Sequence, residues 1–172
     1  FSDATTNTCP ELSKIGMVTD AAWIDLDLDK TNELVVVGEW MPVALFRNNR
    51  GKLTKFGGDS ILNNSNGWWF SIAEGDVNRD GKMDYIIGNL GENYQYKAMP
   101  GAPFNLFSKD FDNNGSLDIL LGYYEDDTLY PVHNRESVLK QIPGLRNKFK
   151  DYNSFGSVTL KEIFNADNLE KS

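Results

Sequence analysis

A mainly β chain, built of repeated short blades and ending in a helical excursion, is predicted by three observations. A nine-residue acidic loop occurs three times. An apolar run ending in Gly follows each copy: Leu34–Gly38, Tyr85–Gly88 and Ile119–Gly122. From Arg135 onward the apolar residues Val138, Leu139, Ile142, Leu145 and Phe149 recur at three- and four-residue steps, the period of a helix face. Repetition of one layout within a chain signals a repeat architecture.

The loops run from Asp25 to Glu33, from Asp76 to Asp84 and from Asp110 to Asp118. Oxygen-bearing side chains recur at positions 1, 3, 5 and 9: Asp25, Asp27, Asp29 and Glu33; Asp76, Asn78, Asp80 and Asp84; Asp110, Asp112, Asn114 and Asp118. Lys82 and Ser116, at position 7, are counted with the metal residues of loops two and three. Oxygen donors alternating along a tight loop are what a hard cation such as Ca2+ requires. Position 6 needs a residue that tolerates positive φ, and Gly81 and Gly115 supply it. Loop one has Lys30 there, which makes it the least certain of the sites, although it carries the most carboxylates. Two to three calcium ions are expected, held most firmly by loops two and three.

An EF-hand would need a bidentate Glu at position 12. That position holds Val36, Ile87 and Leu121, inside the apolar runs, so neither an EF-hand nor a dockerin-like helix–loop–helix fits. Ordinary Asp/Asn/Gly turns explain one such loop as well as metal does. They explain three copies, with four shared oxygen positions and a following strand, far less well.

Each loop is expected between two strands. Ala21–Ile24, Phe70–Ala73 and Phe104–Phe107 lead in, and the apolar runs lead out. Pro42–Phe46 and Leu53–Phe56 flank Asn48-Asn-Arg-Gly51 as a hairpin. Residues 57–67 read as a loop. The first Asp of each loop falls at 25, 76 and 110, a spacing near that of propeller blades. Residues 1–134 are therefore read as three blades and 135–172 as a helical extension, interrupted at Pro143-Gly144, with a second helix over Leu160–Phe164 and a solvated tail after Asn165. Three blades cannot close a ring. The prediction is an arc of a larger propeller, seven- or eight-bladed when complete, whose remaining blades lie elsewhere.

Composition narrows the function. Seventeen Lys and Arg stand against 25 Asp and Glu, a formal charge of −8 that three divalent ions would bring to about −2. An acidic chain without a basic patch disfavours nucleic acid and anionic membrane as partners. No apolar run is long enough to span a bilayer. The chain starts at Phe1, which reads as a processed product or a fragment. Its single cysteine, Cys9, excludes an internal disulfide and reads as a small, partly buried residue. Calcium loops of this kind suit an exterior compartment.

The loop-and-strand pattern resembles the FG-GAP/VCBS-type calcium repeats. It is similar above all to the bacterial, Bacteroidota-like branch related to the ASPIC/UnbV and cartilage-acidic-protein group. The residues that carry the resemblance are Glu33–Pro42, Gly75–Gly91 and Asp110–Asp112, and it covers residues 12–165. It implies a β-propeller, calcium, and an extracytoplasmic setting at the cell surface or outer membrane. It is weak for function, since fold analogy does not assign activity.

The remaining constellations are sparse. Trp23, Trp40, Trp68-Trp69, Tyr94, Tyr96, Tyr123, Tyr124 and Tyr130 suit core packing, or a sugar-stacking platform. His133 is the lone histidine, no nucleophile motif is present, and most clustered acids are assigned to metal. The expectation is a non-enzymatic binding or accessory module, with a protein partner, the remaining blades or a glycan as its ligand. The rival is part of a calcium-dependent polysaccharide lyase or hydrolase.

Overall fold

The computed structural model describes residues 2–57 and 61–164. The chain divides into two compact units, Phe1–Asn93 and Tyr94–Ser172. Both rest on antiparallel sheet, so the mainly β expectation holds.

The first unit begins with a short helix α1 (Thr5–Thr8) and a 3-10 turn (Pro10–Lys14). Strands β1 (Met17–Ile24), β2 (Glu33–Met41), β3 (Ala44–Asn49) and β4 (Lys52–Phe56) follow as an antiparallel meander. Loop one joins β1 to β2. The turn between β3 and β4 is the expected hairpin. Arg50 and Gly51 both have positive φ, 53° and 89°, as a type I′ turn requires, and Asn48 Oδ1 accepts from Gly51 N at 2.8 Å. Strands β5 (Gly67–Gly75) and β6 (Asp84–Asn89) form a second hairpin around loop two, and β5 continues the sheet by pairing with the end of β2. Asp20, at a bulge in β1, ties the hairpins together: its carboxylate accepts from Ala21 N and Ile72 N, each at 2.8 Å.

Strand β2 is buried on both faces. Val36 packs with Cys9, Met41, Ala44, Phe46 and Leu53. Val35 and Val37 point the other way, into a cluster with Ile24 and Val43. A period-2 strand can fill two cores in this way only if neighbours cover both faces, which explains the unbroken Leu34-Val-Val-Val run. Cys9 is fully buried, deeper than the partial burial expected, because α1 and the 3-10 turn lay it against this cluster.

The second unit holds β7 (Asn105–Lys109), β8 (Asp118–Glu125) and β9 (Thr128–Pro131) as a meander, with loop three between β7 and β8. Helices α2 (Arg135–Gln141) and α3 (Leu160–Ile163) and a 3-10 turn (Pro143–Asn147) complete it. The helix expected from the periodicity forms over Val138 and Leu139 and breaks before Pro143, but Leu145 falls in the 3-10 turn and Phe149 beyond it, because Pro143 ends the α-helical hydrogen bonding. Asn134 caps α2 by accepting from Ser137 N, and Thr159 and Glu162 form a capping box on α3. Leu120 of β8 packs with Val138, Ile142, Phe149, Phe155, Leu160 and Ile163, so the helices supply the cover that strands supply for β2. The solvated tail expected after Asn165, and residues 58–60 of the expected 57–67 loop, lie outside the described residues.

Candidate metal centres

The three loops are built on one hydrogen-bond plan. The backbone N–H at position 6 donates to the carboxylate at position 1: Lys30 to Asp25 at 3.0 Å, Gly81 to Asp76 at 2.9 Å, Gly115 to Asp110 at 2.9 Å. The N–H at position 5 donates to the side chain at position 3: Asp29 to Asp27 at 3.3 Å, Asp80 to Asn78 at 2.9 Å, Asn114 to Asp112 at 3.2 Å. Position 7 donates to position 5: Thr31 to Asp29 at 2.6 Å, Lys82 to Asp80 and Ser116 to Asn114, each at 2.8 Å. Position 2 donates to position 9: Leu26 to Glu33 at 3.1 Å, Val77 to Asp84 and Phe111 to Asp118, each at 2.9 Å. Lys82 and Ser116 therefore enter the loops here through their backbone N–H groups.

These bonds fix the side chains rather than satisfy them fully. A carboxylate accepts at two oxygens, and each N–H occupies one. At Asp27, Asp29, Glu33, Asp84, Asp112 and Asp118 a second oxygen remains to face a cation, whereas Asn78 and Asn114 each have one oxygen, already accepting an N–H, with a second lone pair to offer. The backbone repeats as closely as the bonds do. Position 4 is left-handed in all copies, with φ 61° at Leu28, 62° at Arg79 and 59° at Asn113. Position 6 is left-handed too, with φ 72° at Lys30, 84° at Gly81 and 88° at Gly115. Lys30 thus adopts the glycine conformation. The requirement at position 4 was missed in the sequence. Only Asn113 hints at it, since Asn tolerates this region while Leu and Arg do not advertise it.

Depth distinguishes the copies. Asp25, Asp27 and Asp29 bring carboxylate oxygens within 4.8 Å of one another, as do Asp110, Asp112 and Asp118. Loop two has the neutral Asn78 at position 3, and its amide nitrogen donates to Asp80 at 3.2 Å. Loop one, which the sequence ranks last, thus has a three-carboxylate cluster like loop three. Glu33 and Asp118 are each only 2% exposed. Asp25 Oδ1 is buried and has no hydrogen-bond partner among the described residues. A buried carboxylate oxygen without a donor is costly unless a cation meets it. The donor set, all hard oxygens, fits Ca2+ better than a soft metal.

The aromatics singled out in the sequence divide between the units. Trp40 and Trp68 meet edge-on at 5.2 Å, and Trp69 Nε1 donates to Ser65 O at 2.7 Å. Tyr96 contacts Tyr94, Phe104 and Tyr123 in the second unit. No helix among the described residues is long and apolar enough to cross a membrane.

Comparison with curated proteins and with solved structures returned no match. The family model of the FG-GAP-like repeat matches residues 25–87, a stretch that opens at loop one, contains loop two and closes in β6, and this match supports the repeat family for that part of the chain.

Proposed function

We propose that this chain is an arc of a calcium-stabilised β-propeller, acting as a non-enzymatic binding or accessory module outside the cytoplasm. Its sites are the three loops, with Asp25, Asp27, Asp29 and Glu33, Asp76, Asn78, Asp80 and Asp84, and Asp110, Asp112, Asn114 and Asp118 as the side chains that hold the ions. The observation that carries the reading is the shared plan of the loops together with the orphaned Asp25 Oδ1. Calcium would join the ends of paired strands and neutralise the clustered acids.

The β1–β4 meander has the four strands of a propeller blade, and the β5–β6 and β7–β9 sheets repeat its loop-bearing hairpin. The resemblance to the bacterial surface branch supports a cell-surface or outer-membrane assembly as the setting. A protein partner, the remaining blades or a glycan would be the ligand. Titration of Ca2+ into chelator-treated protein should show two to three ions by calorimetry. Asp110→Ala should remove about one of them, since position 1 anchors the loop. Unchanged stoichiometry in that variant would overturn the metal assignment.

A further inference from the structure

The second unit contains a cleft of about 270 Å³ that the loops do not use. Its walls are Tyr123 of β8, Tyr130 of β9, His133, Arg135 at the start of α2, and the exposed Tyr152, and the buried Phe155 also lines it. The volume lies at the small end of ligand pockets, which run from about 300 to 1,000 Å³, and suits one ring rather than a cofactor.

The polar groups define what the ring must be. His133 Nδ1 accepts from Leu121 N at 3.3 Å, extending the β8–β9 ladder beyond Val132 N, which donates to Leu121 O at 2.9 Å. An accepting Nδ1 places the imidazole hydrogen on the far nitrogen, Nε2, so the ring offers a donor on the side away from the sheet. Burial pushes the imidazole below its ordinary pKa, which favours this neutral form. Arg135 uses three of its five N–H donors. Its Nε donates to Phe149 O and its Nη2 to Lys150 O, each at 2.9 Å, and Nη1 pairs with Glu136 at 2.5 Å. Its charge is paired with Glu136, so among the described lining residues the cleft has no cation without a carboxylate partner to attract an anionic ligand.

The aromatic groups supply flat surface. Tyr123 lies between Tyr96, at 4.4 Å, and Tyr130, at 6.1 Å, so the phenol wall is braced. Tyr152 is 62% exposed, and the Arg135 guanidinium sits 5.8 Å from its ring centre. Clustered rings lining one cleft, with phenol and imidazole hydrogens at their edges, match a molecule with apolar faces and a hydroxylated rim.

We propose that this cleft binds a neutral hexose unit of an oligosaccharide, stacked on the tyrosines and hydrogen-bonded by His133 Nε2–H. The assignment rests on the reading of the chain as a binding module and names its ligand class.

His133 is the only histidine, so its imidazole proton resonances report the site alone. Calcium-saturated protein is titrated with maltopentaose, cellopentaose and chitopentaose, and with pentagalacturonate as the anionic control. At least one neutral sugar should shift the His133 resonances in a saturable manner, with pentagalacturonate weaker. Tyr152→Ala should weaken that binding about fivefold or more, the loss expected for a central aromatic contact. Tyr130→Ala should do the same, and an unchanged melting temperature in the exposed Tyr152 variant guards against misfolding. Absence of any shift with all three neutral sugars, a stronger response to pentagalacturonate, or binding unaltered in the Tyr152 variant would each overturn the proposal. Calcium stoichiometry measured on the same samples separates failure of this site from failure of the metal reading.

Discussion

Loops one and two share four hydrogen bonds but differ at position 1, where Asp80 N donates to Asp76 Oδ1 at 3.1 Å and Asp25 Oδ1 has no such donor among the described residues. Loop one leads into β2, which is covered on both faces, and its closing residue Glu33 is buried. Loop two leads into β6, which among the described residues pairs only with β5, and Ile86 is 54% exposed. Asp76, Asn78 and Asp80 are all exposed, and Asp84 is half-buried. Loop one also holds Lys30 where loop two has Gly81. The hydrogen-bond plan is thus local, written in nine residues, whereas the depth of the acids is set by the sheet behind them. Asp27 and Asp29 are exposed like the acids of loop two, so loop one differs in its buried Glu33, its half-buried Asp25 and one additional left-handed non-glycine residue, Lys30.

The largest effect expected is that of calcium. A ligand bound only by the folded state stabilises by about 2.7 kcal/mol at a hundredfold excess over Kd. Chelation should lower the melting temperature by several degrees, at about 2–4 °C per kcal/mol for a chain of this size. Asp25→Asn should remove more of that calcium-dependent shift than Asp76→Asn. In chelator alone, Asp25→Asn should raise stability, because it relieves repulsion among clustered carboxylates. Melting curves of both variants with and without chelator check this, and equal shifts would break the distinction between the two loops.

The closing residue comes next. Glu33→Ala removes a buried carboxylate and leaves to water the Leu26 N–H of a part-buried hydrogen bond, and should cost about 1 kcal/mol. Asp84→Ala should cost less, because water reaches a half-buried site. Urea denaturation in chelator separates these costs from calcium binding.

A smaller, opposite pair tests the strain. Lys30→Gly should stabilise the protein by about 1 kcal/mol, since a left-handed conformation is free to Gly and costly to Lys. Gly81→Lys should destabilise it by a similar amount. Nothing lies within 4 Å of where a Gly81 Cβ would stand, so the penalty is conformational and not steric. Reciprocal changes of unequal size would show that loop one has adapted to its lysine.

The sequence is most legible where the structure is most local. The oxygens at positions 1, 3, 5 and 9, the Asn48–Gly51 hairpin and the break at Pro143 all appear where residue types place them, because turn chemistry depends on few neighbours. The double burial of β2 was legible only as an unbroken apolar run, and its cover by Cys9 and Met41 was not legible at all. The left-handed position 4 was hidden because Leu28 and Arg79 adopt it against their preference. The convergence of Asp25, Asp27 and Asp29 is obscured by Lys30, a residue type that does not favour positive φ, although its backbone performs the same role as Gly81. The role of Arg135, spent on two carbonyls and a carboxylate, depends on chain folded fourteen and fifteen residues away.

The smallest effect expected lies at Arg47, on β3 beside loop one. Its Nη2 stands 3.8 Å from Asp27 Oδ2, with both side chains about half exposed, 51% and 48%. Its guanidinium also lies 4.9 Å from the Phe56 ring centre. An exposed pair of this kind contributes about 0–1 kcal/mol, so Arg47→Ala should barely move the urea midpoint in chelator. Its effect on calcium should be clearer and of opposite sign. A cation beside a ligand carboxylate repels the incoming ion, so removing it should tighten loop one a few-fold at low salt, and the gain should fade as ionic strength rises. Among the described residues the acids of loop two form no ion pair, so loop two should keep its affinity. Calorimetric titration of the variant at two salt concentrations checks this. A change shared equally by both loops, or one indifferent to salt, would mean that Arg47 acts through packing on Phe56 and not through the charge it places beside Asp27.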